Sequence, residues 1–204
     1  MSLAKRYLFY FAQDLLEFRR PEFESILRIF NINEIEVNRD ELKPYWLIKC
    51  NEQDAVNIAS RSVLLRMVFE VWSSGVSYED FHSNLRSYQV EEKYKTDSFK
   101  FKVESFNRHL RHHEKITKIE SMNYLPLEGD IKLIDPAHKF IYFEYYGLDT
   151  VNIPEVPEEI FMGRLISKGS RDMINSISLK TRKFIGNTSM SPELSILMAN
   201  QGLC

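Results

Sequence analysis

The first 75 residues change hydrophobic period in a fixed order, and that order restricts the fold more than any single motif does. Arg6-Tyr-Leu-Phe-Tyr-Phe-Ala12 is a short unbroken run dense in aromatics, the pattern of a strand buried on both faces. Pro21 opens Pro21-Glu-Phe-Glu-Ser-Ile-Leu-Arg-Ile-Phe30, in which Phe23, Ile26, Leu27 and Phe30 recur at the spacing of one helix face, with proline suited to the first turn. Glu34 to Val37 and Tyr45 to Cys50 are strand-like, and the charged turn between them ends in Lys43-Pro44, which predicts a hairpin. Asn51 caps a second helix with Val56, Ile58, Ala59 and Val63 inward, and Val68-Phe-Glu-Val-Trp72 makes a fourth strand before the Ser73-Ser-Gly75 break. Strand, helix, two strands, helix, strand is the order of a ferredoxin-like split βαβ unit, whose helices cover one face of an antiparallel sheet. The expectation is an α+β chain whose first domain spans residues 1–75.

A second domain is expected from residue 76 to 180. Ser77, with Asp80 three residues on, starts a helix carrying Tyr78, Phe81, Leu85 and Tyr88 at helical spacing. Ser98-Phe-Lys-Phe-Lys-Val-Glu-Ser-Phe106 alternates strictly, so Phe99, Phe101 and Val103 point to the core, and Lys100, Lys102 and Glu104 to water. A basic helix from about His112 to Tyr124 has Ile116, Ile119 and Met122 as its apolar stripe. Phe140 to Tyr145 and Phe161 to Ser167 are further strands, joined through the extended connector Ile153-Pro-Glu-Val-Pro157, and Gly169-Ser-Arg171 opens a short helix or turn. Residues 181–204 read as a linker and the start of a capped helix, Pro192 to Asn200, whose finish at Gly202-Leu-Cys204 suggests a domain cut short.

The net charge of -2 conceals strong segregation. Residues 1–92 sum to -4, residues 93–118 to +5, residues 119–160 to -7 and residues 161–204 to +4. Cys50 and Cys204 supply neither a disulfide framework nor a paired-thiolate metal site. His109, His112 and His113 sit among Arg108, Arg111 and Lys115, whose charge repels a metal ion. No stretch approaches the roughly 20 apolar residues of a bilayer span, and Met1 to Arg6 lacks a secretory core, so the chain reads as soluble and cytoplasmic, with no membrane partner. With no glycine-rich phosphate loop, nucleophile elbow or paired carboxylates, no catalytic residue and no cofactor or metal ligand is assigned, and the chain is expected to be catalytically silent alone.

The two basic segments carry the binding expectation. The first interleaves Lys100, Lys102, Arg108, Arg111 and Lys115 with aromatic residues; the second brings Arg164, Lys168, Arg182 and Lys183. Such faces neutralise phosphates while aromatics pack or stack. The alternative from composition is a solvated sheet face over core phenylalanines.

Several stretches carry a resemblance. Arg6-Tyr-Leu, Leu16-Glu-Phe-Arg19, Phe69-Glu-Val-Trp72, Leu125-Pro-Leu-Glu-Gly129, Tyr146-Gly-Leu-Asp149, Gly163-Arg164, Phe184-Ile-Gly-Asn-Thr-Ser-Met190 and Met198-Ala-Asn200 run in order along the chain. Together they resemble the amino-terminal region of the catalytic subunit of the eukaryotic and archaeal tRNA guanosine-10 N2-methyltransferases. The resemblance implies a ferredoxin-like domain, a THUMP domain that holds the acceptor end of tRNA, and a linker to a Rossmann-fold methyltransferase domain. That last domain, which uses S-adenosylmethionine, has no counterpart of its Asp-Pro-Pro-Tyr motif here. The resemblance also implies a small zinc-binding activator subunit docked mainly on the methyltransferase domain. Two other readings stay open: a protein-interaction scaffold, whose basic segments are covered by the acidic block Glu120 to Glu159, and a THUMP module of another tRNA-modifying enzyme, which the Phe184 to Met190 stretch disfavours.

Overall fold

The computed structural model describes residues 4–33, 35–181, 183, 184, 186 and 189–204. The fold is mixed α and β, and it divides into one unit formed by residues 1–69 with 166–204 and another formed by 70–165. In the first unit the strand order is β2-β3-β1-β4, and in the second it is β4-β7-β6-β5, because β4 (Leu65–Gly75) and β7 (Glu159–Lys168) give residues to both.

The first unit follows the expected order: β1 (Lys5–Phe11), α1 (Arg19–Ile29), β2 (Glu36–Arg39), β3 (Tyr45–Cys50), α2 (Glu52–Arg61) and β4. β3 is antiparallel to both β1 and β2, with Leu8 opposite Leu47 and Val37 opposite Ile48. Tyr7, Phe9 and Phe11 from one side of β1 join Trp46, Ile48 and the helix residues Phe23, Ile26, Ile58 and Ala59 in one core. Phe11, Phe23 and Trp46 meet edge to face, with centroids 4.6 Å and 5.5 Å from the indole. Asn51 caps α2 by accepting the Asp54 N–H at 2.8 Å. Two details differ from the expectation. The inward face of α2 is Ala55, Ile58 and Ala59 rather than one including Val56, since three- and four-residue steps from Ala55 stay on one stripe. Phe30, beyond the last turn of α1, is exposed, while Ile32 takes a core position.

Residues 166–204, at the carboxyl-terminal end, group with this unit. α6 (Asp172–Ser176) and α7 (Pro192–Gln201) pack with it, and Ile196 and Leu197 are members of its core. Ser191 caps α7, accepting the Leu194 N–H at 3.3 Å. The attachment is also polar. Glu22, 1% exposed on α1, accepts hydrogen bonds from Ser62 Oγ at 2.6 Å, Val63 N at 2.8 Å, Leu64 N at 3.3 Å and Asn200 Nδ2 at 3.0 Å. Arg61 Nε donates to Asn200 Oδ1 at 2.6 Å, so the amide uses both ends. Burial pushes the Glu22 carboxyl above its ordinary range, and the four hydrogen bonds oppose that shift.

The second unit contains α3 (Tyr78–Ser87), α4 (Glu92–Thr96), β5 (Phe99–Phe106), α5 (His112–Glu120), β6 (His138–Tyr145) and most of β7. Ser77 caps α3, accepting the Asp80 N–H at 3.1 Å. α4 was not anticipated, its five residues being too few for a period to show. α5 stops at Glu120 and continues as turns, and Ile116, expected in its apolar stripe, is 40% exposed; the contacts to the core come from Ile119, Met122 and Leu125. β5 runs parallel to β6 through the α5 crossover, and β6 is antiparallel to β7. Trp72, Phe81, Phe99, Val103, Phe140, Tyr142 and Met162 form this unit's core.

Replacing Glu22 by alanine strands two buried backbone N–H groups and should destabilise the chain by about 3 kcal/mol in denaturant titration. Asn200→Ala should release α7 first, seen as faster amide exchange over residues 192–201 with little change in β1. Uniform exchange in both segments would show that the contact does not latch the helix.

Candidate nucleic-acid interface

β5 is the outer strand of the second unit, and its alternation holds: Phe99 and Val103 are buried, while the Lys102 side chain is 55% exposed. The parallel register sets Lys139 of β6 beside Lys100, which adds a lysine that sequence spacing could not place there. Lys100 Nζ donates to the Leu133 carbonyl at 2.9 Å, and Lys102 pairs with Glu104 of its own strand at 2.5 Å. Arg111 and Lys115 lie at the start of α5, and neither side chain has a carboxylate partner among the described residues. Glu114 accepts the Arg111 N–H at 2.7 Å, which closes the first turn and holds its carboxyl below the ordinary range.

Other expected contacts are committed to the fold. Arg108 donates to the Glu155 carbonyl at 2.5 Å and to Glu114 at 3.2 Å, and its guanidinium lies 5.2 Å from the Tyr146 ring centre. Arg164 is paired with the buried Glu70 at 3.0 Å and sits 5.1 Å from the Tyr94 ring centre. Gly163 lets the backbones at Gly163 and Glu70 lie close together, because a Cβ there would run into the Glu70 backbone carbonyl. Lys168 and Lys183 are exposed and belong to the first unit, so the cations expected as one surface are divided between the units. Arg182, with Ile185, Asn187 and Thr188 of the Phe184 to Met190 stretch, lies outside the described residues.

A polar cluster beneath α5 escaped the sequence reading. Glu144, fully buried on β6, accepts hydrogen bonds from Tyr142 Oη at 2.8 Å, Tyr146 Oη at 2.8 Å and Tyr78 Oη at 3.0 Å, and pairs with Lys118 Nζ at 3.0 Å. Lys118 also donates to the Tyr78 hydroxyl and lies 3.9 Å from that ring's centre. Burial, then the Glu144 charge, pushes the Tyr142 and Tyr146 hydroxyls well above the ordinary tyrosine range, so both remain donors. The available signal was Glu144 itself, a carboxylate inside an otherwise apolar and aromatic strand.

The model of the Tmrp11 THUMP N-terminal domain matches residues 5–171. The chain belongs to this family. It is 41% identical over 203 residues to the tRNA (guanine(10)-N(2))-methyltransferase TRMT11 of Homo sapiens, covering 97% of the chain and 44% of the relative. Identity to TRMT11 of Bos taurus is 40% over 207 residues, or 98% of the chain and 45% of that protein. The tRNA (guanine(10)-N(2))-methyltransferase of Saccharomyces cerevisiae is 30% identical over 203 residues, 96% of the chain and 47% of the relative. The chain thus spans less than half the length of these curated relatives. No described helix is long and apolar enough to cross a membrane.

Glu144→Ala should cost about 3 kcal/mol, lowering Tm by roughly 10 °C, because Lys118 and three hydroxyls lose their shared acceptor. Combining Glu144→Leu with Lys118→Met should recover part of that loss. Equal loss in both variants would mean that the charge pair is not what holds α5.

Proposed function

We propose that this chain is the RNA-gripping amino-terminal part of an S-adenosylmethionine-dependent tRNA guanosine-10 N2-methyltransferase. The observation that carries the reading is the 41% identity to TRMT11 over 97% of the chain. The order β2-β3-β1-β4, with two helices after β1 and β3, supports a ferredoxin-like first domain over residues 1–75. The family match over residues 5–171 supports the presence of a THUMP domain, which this reading assigns to 76–180, with 181–204 leading on. Its role is to hold the acceptor end of tRNA through phosphate contacts by Lys100, Lys102, Arg111 and Lys115, joined by Lys139, with Lys168, Arg182 and Lys183 as a second group. Arg108 and Arg164 act on this reading as supports for the surface, since Arg108 is held by Glu114 and the Glu155 carbonyl and Arg164 by Glu70.

On this reading S-adenosylmethionine is held by the methyltransferase domain of the whole enzyme, and no transfer step is assigned to the residues of this chain. Methyl transfer, the zinc-binding activator subunit and a cytoplasmic location belong to the whole enzyme on this reading. The scaffold reading draws on Glu144 of the acidic block, whose buried carboxylate pairs with Lys118, while Glu155 meets Arg108 only through its backbone carbonyl. Against it, the side chains of Lys100, Arg111 and Lys115 form no ion pair with a carboxylate among the described residues.

Salt titration of binding to a full-length tRNA, with the same tRNA lacking its 3′ single strand as control, tests the proposal. Binding should be salt-sensitive and weaker for the shortened tRNA. Lys100→Ala with Lys102→Ala should lower the log–log salt slope by roughly one per lost contact. Arg164→Ala should instead lower Tm and leave the slope unchanged. An unchanged slope in the lysine pair would remove β5 from the interface, and no binding of either tRNA would favour the scaffold.

A further inference from the structure

The second unit holds a cavity that the phosphate contacts above leave unused. It has a volume of about 210 Å³ and opens beside α5, with Tyr78, Arg108, His113, Thr117, Lys118 and Tyr146 in its lining. Its chemistry is neither apolar nor strongly charged. Tyr78 and Tyr146 supply aromatic wall, and each ring has a cation beside it. Arg108 is offset by Glu114, and Lys118 by Glu144, so no excess of positive charge faces the space. Glu114 and Glu155 line it as well, and a free phosphate would have to approach both.

Donors and acceptors are both present. A guanidinium has five N–H donors and an ammonium three, whereas Arg108 and Lys118 each make two hydrogen bonds or ion pairs among the described residues. Acceptors come from the carboxylate of Glu114, and Glu155 also lines the space, its backbone carbonyl accepting from Arg108. A ligand that matches this set is flat, uncharged, and has donors and acceptors along one edge. The size points the same way. About 210 Å³ lies below the roughly 300–1,000 Å³ of sites that enclose a whole small ligand, so the space suits one part of a larger molecule. Exposed Arg111, at the N-cap of α5, and half-buried Lys115 lie on the turn before Thr117 and Lys118, where a backbone carrying that part would pass.

We propose that this cavity receives one unstacked nucleobase of a bound RNA strand, read by its edge between Arg108, Lys118 and Glu114 while Arg111 and Lys115 meet the flanking phosphates. The inference rests on the RNA-binding reading above and adds a base site to a phosphate surface.

The test uses the 204-residue chain with a short single-stranded RNA and an abasic ribose-phosphate strand of equal length. The base-bearing strand should bind roughly tenfold or more tightly. Thr117→Phe fills the cavity and removes only a hydrogen bond to the His113 carbonyl within α5; it should reduce base-bearing affinity to the abasic level and leave abasic binding unchanged. A strand with 2-aminopurine at one position, titrated with the unaltered chain, gives a readout that needs no variant: emission should shift on binding at one position in the strand. Equal binding of the two strands with a normal salt slope, discrimination that survives in a folded Thr117→Phe, or emission unchanged at every position would overturn the base site and leave the phosphate reading standing. Failure of either strand to bind would overturn both.

Discussion

A carboxylate with no solvent exposure must be satisfied within the protein, and at Glu144 that requirement fixes where α3 and α5 lie in the second unit. Its oxygens take hydrogen bonds from tyrosines on α3, on β6 and just beyond β6, together with the Lys118 ammonium of α5. α5 has no buried residue of its own, so an apolar stripe alone would hold it weakly. The Glu144 cluster and the turn residues after Glu120 supply what the stripe lacks. Consequently the positions of Arg111 and Lys115, and the shape of the cavity at Thr117, follow from one buried charge.

The first unit uses the same device at a different place. Glu22 sits under the chain reversal Ser62–Leu64 and accepts two backbone N–H groups that no strand partner takes up there. Asn200 completes its shell from a residue 178 positions away. A long-range contact of this kind makes α7 a part of the unit although it comes last in the chain. Both clusters are polar groups made tolerable by full pairing: one joins α1 and α7 to the reversal at Ser62–Leu64, and the other joins α3 and α5 to β6.

The cations separate by what they touch. Arg108 and Arg164 have buried or half-buried neighbours, acidic partners and aromatic rings beneath them, which is the environment of a structural guanidinium. Lys100, Lys102 and Lys139 stand on adjacent strands with flexible stems, Lys102 exposed and the other two half-buried. None is paired with a buried carboxylate among the described residues, which leaves their ammonium groups available for a phosphate contact. Charge counting cannot make that distinction, because both kinds of residue lie in the same basic segments. Membership of the Tmrp11 THUMP N-terminal domain family accounts for the fold. The separation of cations gives the proposed RNA role a surface on which it can be tested.

Local order was written in the sequence: the aromatic run at Tyr7, the helical spacing from Phe23, the caps at Asn51, Ser77 and Ser191, and the alternation from Phe99 to Val103 all depend on residues within one or two turns of each other. The strand-helix-strand-strand-helix-strand order and the family likeness are likewise properties of the chain read end to end. Tertiary structure alone decided that α7 returns to the first unit, that Lys139 stands beside Lys100, and that Arg164 faces Glu70 rather than water. It also decided that Glu144 gathers three tyrosines and a lysine. Each of those is a pairing across a large sequence separation, and the partner of a buried charge is fixed by where the backbone brings the chain together, which no local spacing records.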